Sequence, residues 1–501
     1  MRKKIYVSIG VPGSGKTEHF LRRAKIWMFL GRKLVLALPT LKLVGEVVER
    51  CESLQLECKP IIGDETIGKR GRCLTEALQN GISFVITTHA ALMEVDSKLL
   101  VEYILAVDEV PRILDVDCRN IKQADLDSLL VNLKHIENRL EIRHDKFQHV
   151  RELVDSYSRA GSSSYFGSAC SVFERRIYDC LLHDGVVFIK PYRKDDEFSI
   201  ATGKTTDFFE KVSVASEVHI LTATLAGGVF HTIAQAKGFE FISSRFSPPD
   251  YAYESEVVIY PLCPMRWSKA KALTTKDGQG FHEHLGTNNQ YIDEIISKAY
   301  HHNKNRPMLL FCNNWFNSKL VVDLIGVEAC PGDNRGINSY NAYTAAVLVY
   351  SGQASPNHKP ILSALEGKLG IMPGKLHEAW RVTEKLERAL QDVTRTAIRK
   401  RGNTLRVSLY VQDDEVCEFL REQCIPNAAI DRSLMTPPFM INREPSETAK
   451  RDDCARDIIK KCLEFGQARS AIVKSLMEAG FGQSTAYKKI NLHANPQGGI
   501  L

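Results

Sequence analysis

Eight residues near the start of the chain have the spacing of a loop that binds nucleotide phosphates. The segment GVPGSGKT, residues 10–17, matches G-x-x-x-x-G-K-[ST] at every fixed position. Its glycines let the backbone curl so that N–H groups face phosphate oxygens, and a helix starting near Lys16 adds the positive end of its dipole. An apolar strand before the loop and an amphipathic stretch after it favour this reading over a chance glycine-rich turn. The predicted nucleotide contacts are Gly10, Gly13, Ser14, Gly15, Lys16 and Thr17. Thr17 is also predicted to bind Mg²⁺ through its hydroxyl.

A pair of carboxylates about ninety residues downstream completes the chemistry. Asp108 and Glu109 directly follow the apolar run 103–107. We expect Asp108 to hold Mg²⁺ through water and Glu109 to orient and deprotonate an attacking water. Taken alone, such a pair also fits a surface turn. Together with the phosphate-binding loop it predicts hydrolysis of a nucleoside triphosphate, with ATP and Mg²⁺ as cofactors.

The elements that must position these groups alternate in type along the first third of the chain. Runs 33–38, 82–86 and 103–107 are typical of buried parallel strands, and each ends in a polar turn that carries a candidate site. Helical patterns separate these runs. This is the pattern of a doubly wound α/β domain, which binds ligands at the carboxyl ends of its strands.

Changes of pattern divide the rest of the chain. Residues 116–207 form a predicted insertion, mostly helical over 120–158, with a hairpin of strands at 186–189 and 198–200. A proline-containing linker at 246–250 precedes a second α/β unit, and a small helical module follows another proline break at 436–438. The predicted domains are therefore 1–245, 250–435 and 445–501.

Composition sets further bounds. The 501 residues carry a net charge of +6, which permits a polyanionic partner without requiring one. We expect a cytoplasmic protein without a membrane partner, because no apolar run approaches the ~20 residues of a membrane span and no signal peptide is recognisable. The thirteen cysteines contain no C-x-x-C pair, so reduced and mostly buried thiols are expected. The wide spacing of Cys51, Cys58 and Cys73 is a poor match to an iron–sulfur cluster.

The order of these motifs resembles the superfamily 2 helicases of the DExx-box type. Residues 38–41 and 87–89 resemble that family's two elements that contact the nucleic-acid backbone, and residues 221–225 resemble its Ser/Thr-Ala-Thr element, which couples ATP hydrolysis to strand movement. The fourth position of the DExx box departs from the family, being Pro111. By this resemblance, the nucleic-acid contacts are Pro39, Thr40, Thr88 and His89, and the coupling residues are Thr222 and Thr224.

The second α/β unit contributes two further resemblances. Residues 332–338 are similar to the family's motif V, with Asn338 in place of the usual acid, and imply ATP contacts by Gly336 and Asn338. Residues 391–399 are similar to motif VI. Because Gln391, Arg395 and Arg399 recur every four residues, a continuous helix would present all three on one face. The resemblance gives these three residues catalytic roles at the γ-phosphate, one arginine being the arginine finger. It also implies two tandem RecA-like domains facing each other across an ATP cleft.

The tail resembles a helix-turn-helix DNA-binding unit. Residues 468–479 have helical apolar spacing, residues 480–482 break the helix, and a second helix is expected to start with Ser484 as its N-cap. Lys488 and Lys489 on that helix are the predicted duplex-DNA contacts. A helical hairpin that only packs against the rest of the chain is the alternative.

The resulting prediction is an ATP-dependent helicase or translocase that acts on nucleic acid. Single-stranded DNA is the favoured substrate, and replication of a phage, plasmid or other mobile element is the favoured setting. The core motifs also fit an RNA helicase. A DNA-binding regulatory ATPase that does not unwind is the third alternative. Nothing in the sequence indicates the oligomeric state.

Overall fold

The computed structural model describes residues 3–62, 69–160, 171–192, 196–249, 251–276, 290–304, 306–313, 326–330, 340–439, 447–464 and 466–493. It divides into two compact units, one made of residues 1–269 and 292–437 and the other of residues 270–291 and 438–501. Strands and helices are numbered along the chain.

The first unit begins with a seven-stranded sheet whose paired strands are all parallel, in the order β12-β1-β11-β5-β2-β4-β3. Its strands are β1 (Lys4–Ile9), β2 (Lys33–Leu38), β3 (Lys59–Pro60), β4 (Phe84–Thr88), β5 (Tyr103–Asp108), β11 (Glu217–Thr222) and β12 (Glu240–Ser243). Its helices are α1 (Lys16–Phe29), α2 (Leu41–Ser53), α3 (Lys69–Gln79), α4 (His89–Met93), α8 (Phe208–Val214) and α9 (Val229–Ala236). The carboxyl ends of β1 and β5 lie on either side of β11, so the phosphate-binding loop and Asp108 meet at one edge.

An inserted five-stranded antiparallel sheet follows β5, in the order β6-β10-β9-β8-β7. Its strands are β6 (Leu114–Lys122), β7 (Leu133–Ile136), β8 (Arg139–Ile142), β9 (Val186–Pro191) and β10 (Glu197–Thr205), with helices α5 (Gln123–Leu130), α6 (Phe147–Ala160) and α7 (Val172–Leu182). The predicted β9–β10 hairpin is confirmed. The predicted helical character of 120–158 is wrong for the β7–β8 hairpin. There Leu133, Ile136 and Leu140 imitate a helical spacing although they lie on two paired strands.

The second α/β part of this unit contains a six-stranded parallel sheet, in the order β15-β14-β16-β17-β13-β18. The seven-stranded and the six-stranded parallel sheets, each taken with the segments that connect its strands, are called the first and the second sheet. Its strands are β13 (Val257–Cys263), β14 (Met308–Cys312), β15 (Val327–Cys330), β16 (Ala345–Val349), β17 (Val407–Asp413) and β18 (Ala429–Ile430). Helices α11 (Tyr291–His302), α12 (His358–Leu369), α13 (Lys375–Arg381), α14 (Arg388–Val393) and α15 (Asp414–Gln423) accompany it, whereas α10 (Lys269–Ala272) lies in the second unit except for its first residue. The two parallel sheets confirm the predicted α/β fold class, with tandem RecA-like domains and an insertion in the first.

Helices α12 and α13 belong to the core of the first sheet, although they follow a strand of the second. Ile361 and Leu362 are fully buried in the hydrophobic cluster that contains Ala201 of the insertion. Lys368 Nζ donates hydrogen bonds to the carbonyl oxygens of Asp184 (2.9 Å) and Gly185 (3.0 Å). The two α/β parts are therefore joined by an apolar interface as well as by the linker.

The second unit ends in three helices, α16 (Glu447–Glu464), α17 (Arg469–Glu478) and α18 (Gln483–His493). Ile459, Leu476, Phe481 and Ile490 are buried together in its core. The two predicted helices are present, but Ser484 lies inside α18 and is not its N-cap, because the helix already begins at Gln483. Within the described residues, no helix is long and apolar enough to cross a bilayer.

Candidate active site

The loop between β1 and α1 has the curled backbone that its glycines predict. Gly13 and Gly15 have φ of 87° and 86°, and Ser14 N donates to the carbonyl of Val11 at 3.0 Å. Lys16 Nζ lies 2.6 Å from the carbonyl oxygen of Gly10, so the ammonium group is held over the loop. Burial lowers the pKa of Lys16, and the nearby charges of Asp108 and Glu109 act in the opposite direction.

Thr17 and Asp108 are in direct contact across the two elements that carry them. The Thr17 hydroxyl donates to Oδ2 of Asp108 at 2.9 Å. Asp108 is buried, and this burial raises its pKa against the opposing effects of Lys16 and of the Thr17 hydrogen bond. A hydroxyl and a carboxylate beside a phosphate-binding loop are oxygen ligands suited to Mg²⁺, which also takes ligands from phosphates and water.

Glu109 adopts a backbone conformation that is rare for a residue with a side chain. Its φ is 64°, and its N–H donates to the carbonyl of Leu221 in β11 at 2.8 Å. Such conformations cost of order 1–3 kcal/mol and persist where surrounding contacts enforce them. The strand pairing therefore turns the chain sharply after Asp108 and holds Glu109 at the rim of the site.

A cavity of about 260 Å³ unites these groups with residues from the second sheet. Besides the loop and both carboxylates, its lining includes Gln391, Arg395 and Arg399. The prediction that these three share one helix face is wrong. Helix α14 ends at Val393, and residues 397–399 form a separate 3₁₀ turn. The chain reaches the cavity by a helix end and a turn, with Thr394 also in the lining.

The predicted coupling residues link the cavity to the second sheet. Thr222 lines the cavity, and its hydroxyl donates to the carbonyl of Thr224 at 2.8 Å. The Thr224 hydroxyl in turn donates to Oε1 of Glu387 at 3.2 Å. Sequence reasoning missed Glu387, although its position four residues before Gln391 places it on the same side of a helix.

Other contacts at the site had no signal in the sequence. The Tyr253 hydroxyl donates to the carbonyl of Pro12 at 2.7 Å, across a separation of 241 residues. Leu43 and Arg50 of α2 also line the cavity. Such contacts follow from how the sheets pack, and no local spacing of residues in the sequence predicts them.

Three of the four predicted nucleic-acid contacts near the first sheet, Thr40, Thr88 and His89, form polar contacts within the protein. Thr40 and Thr88 cap α2 and α4 by accepting hydrogen bonds from Leu43 N and Ala91 N. His89 is 9% exposed, and its Nε2 lies 3.0 Å from the carbonyl oxygen of Asp108. Thr88 and His89 are buried, whereas Pro39 and Thr40 are half-buried, and contact of these four residues with nucleic acid stays a prediction.

The remaining predicted contacts differ in what the structure says of them. Lys488 is exposed on α18, and Lys489 is half-buried beside it. Gly336 and Asn338 lie outside the described residues. Among the residues that are described, no three His, Cys, Asp or Glu side chains are grouped so as to hold a metal ion.

Comparisons with known proteins return distant structural likenesses. No protein-family model and no curated protein sequence matches the chain. The structure of Xpd4 from S. tokodaii is 12% identical over 86% of this chain and 96% of that chain, with a TM-score of 0.49. A structure described as an XPD helicase is 10% identical over 85% and 96%, with a TM-score of 0.48. A variant of S. cerevisiae Dbp5 bound to RNA and ADP–BeF₃ is 10% identical over 87% and 85%, with a TM-score of 0.36.

Proposed function

We propose that this chain is an ATP-dependent helicase or translocase of nucleic acid, and that DNA is its substrate. The observation that supports this most directly is the shared cavity, in which Lys16, Asp108 and Glu109 face Arg395 and Arg399 of the second sheet. A site divided between two sheets can couple hydrolysis to relative movement, because the groups on one sheet respond to the phosphate held by the other.

Each residue has a role that follows from its position. The loop amides and Lys16 bind the phosphates, while Thr17 and Asp108 provide oxygens for Mg²⁺, which neutralises charge on the phosphates when bound. Glu109 lies at the rim where an attacking water would be oriented and deprotonated. Arg395 and Arg399 bring positive charge to the transferring phosphoryl group from the opposite side.

The preference for DNA is supported by the three-helix tail. In α17 and α18 two helices meet at a turn through Gly480, whose φ is 85°, and α18 exposes Lys488. This is the arrangement in which a second helix can enter a major groove while lysines neutralise phosphates. Single-stranded nucleic acid would cross the two RecA-like domains, held mainly by its phosphates.

One set of measurements tests the proposal. ATP hydrolysis is measured with single-stranded DNA, with single-stranded RNA and with neither, followed by strand displacement on DNA and RNA duplexes. Stimulation and displacement with DNA are expected. Stimulation by RNA alone would show that RNA, and not DNA, is the substrate. Stimulation without strand displacement would indicate a regulatory ATPase, and the absence of any hydrolysis would refute the proposal.

A further inference from the structure

The helix that leads into the candidate active site changes its winding halfway. Residues Val382–Glu387 form a π-helical turn between α13 and α14. Turns of this kind are rare and occur frequently at functional sites, because the extra residue redirects the side chains around it. Here the turn contacts the start of α9, where the Thr383 hydroxyl accepts a hydrogen bond from Val229 N at 3.0 Å.

Glu387 ends this turn and has two short connections to the cavity. Its Oε1 accepts the hydrogen bond of Thr224, which is tied to the cavity-lining Thr222. One helical turn further on, Gln391 lines the same cavity from the second sheet. A change in the position of Thr222 therefore has a direct route to the helix that carries Gln391.

The fit around Glu387 is close. A Cβ atom at Gly228 would lie 2.8 Å from Oε1 of Glu387 and 3.0 Å from Oγ1 of Thr383, so a larger residue at position 228 would have to displace the carboxyl group. Burial raises the pKa of Glu387 to about 7, while its hydrogen bonds to Thr383 and Thr224 act in the opposite direction. A carboxyl group placed in such a contact is costly unless its hydrogen bonds are formed, which makes the contact sensitive to small movements.

We infer that Glu387 is a positioning residue that couples the state of the nucleotide, read at Thr222 and Thr224, to the position of the helix bearing Gln391. This inference rests on the proposed ATPase function and goes beyond it by naming the contact that joins the two sheets. Glu387 itself touches no reacting atom. Its effect is to hold the Ser/Thr-Ala-Thr element and the arginine-bearing segment in register.

The test measures kcat and KM for ATP with and without saturating single-stranded DNA. Glu387→Ala should lower the DNA-stimulated kcat on the order of tenfold, the worth of one partly buried hydrogen bond, with little change in KM. Glu387→Gln keeps an acceptor oxygen and the shape of the side chain, so it should restore most of the stimulation. Glu378→Ala is the matched control, because that exposed carboxylate on α13 pairs with Lys375 at the surface.

Thr224→Val supplies an independent variant that keeps the volume of the side chain and removes the donor. It should reproduce the loss seen in Glu387→Ala, and the double variant should lose no more than either single one. Losses that add, or normal stimulation in Thr224→Val, would overturn the inference even if Glu387→Ala fails to fold. A wild-type protein that hydrolyses no ATP would instead refute the proposed function, which distinguishes the two failures.

Discussion

The side chain of Arg399 covers the backbone of Gly13. A methyl group placed on Gly13 would lie 2.9 Å from Cγ and 3.3 Å from Nε of Arg399, although 386 residues separate the two in the chain. The guanidinium group of the second sheet is thus brought onto the phosphate-binding loop of the first. Arg395 lines the same cavity and is only 6% exposed, whereas Arg399 is exposed, so the two arginines differ in depth.

Replacing either arginine should affect turnover more than ATP affinity. Arg395→Ala and Arg399→Ala each remove a charge that acts on the transition state, and arginine fingers contribute roughly 10³–10⁵ in rate. Single-turnover rates and ATP affinity, measured separately, identify the variant with the larger rate loss as the finger. Arg421→Ala, which removes a surface arginine paired with Glu418, is the control. Unchanged turnover in both variants would show that this segment has no catalytic function.

Lys16→Ala should abolish hydrolysis and weaken ATP binding, because it removes the positively charged side chain of the loop. The fold should persist, since the loop follows β1 at a strand end and the Lys16 ammonium group donates to the loop carbonyls of Gly10 and Val11. Nucleotide binding by titration and unfolding by circular dichroism measure the two effects. Near-normal turnover, or a chain that no longer folds, would contradict the assignment of the loop.

Glu109→Gln should retain ATP and Mg²⁺ while losing hydrolysis by roughly 10² or more, which is the scale of general-base contributions. The backbone conformation at this position is enforced by the bond to Leu221, so the amide should occupy the same place. Such a variant should accumulate in the ATP-bound state and bind single-stranded DNA more tightly. Loss of ATP affinity would show that Glu109 binds metal or maintains structure.

Contact between the sheets at Glu387 should weaken as pH rises. Burial raises its pKa from 4.5 to about 7 when Thr224 is in contact, so the contacting state holds the proton more tightly than the separated state. Contact is therefore strongest below about pH 4.5, weakens up to about pH 7 and is constant above. The charged neighbours of Glu387 on its own helix are Glu384 and Arg388. Glu384 lies 4.0 Å from Arg112, and Arg388 pairs with Asp392. From the first sheet, the uncharged residues Thr224 and Gly228 face Glu387.

The ratio of DNA-stimulated rates between the wild type and Glu387→Gln checks this dependence. Glutamine binds no proton in this range, so the ratio cancels the titration of other groups. It should fall between about pH 5 and pH 7 and then remain level. A ratio that does not vary with pH would contradict the shifted titration.

Lys488→Ala combined with Lys489→Ala should weaken duplex binding for all sequences and flatten its dependence on salt. Each lysine that neutralises a phosphate contributes about one unit to the slope of log K against log salt. Lys460→Ala combined with Lys461→Ala on α16 is the charge-matched control. Duplex-DNA binding should be measured on the full-length chain. Equal losses of affinity in both double variants would show that the tail contributes to DNA binding only through its net charge.

The parts of this structure that follow from local rules were predictable from the sequence. The loop geometry at Gly13 and Gly15 and the strand before Asp108 follow from residue type and spacing. The route by which Arg395 and Arg399 reach the cavity was not predictable, because α14 stops at Val393 where a periodic pattern suggested continuation. The same applies to the β7–β8 hairpin, where pairing between strands outweighed a helix-like spacing.

The apolar packing of α12 and α13 has a consequence for how the two sheets can move. The linker fixes the second sheet to the first at one place, with Phe246 in the first core and Tyr253 against the second. Ile361 and Leu362 fix it at another. Any opening of the cleft that separates α12 from the insertion must therefore expose side chains that are now fully buried, and this exposure opposes the movement.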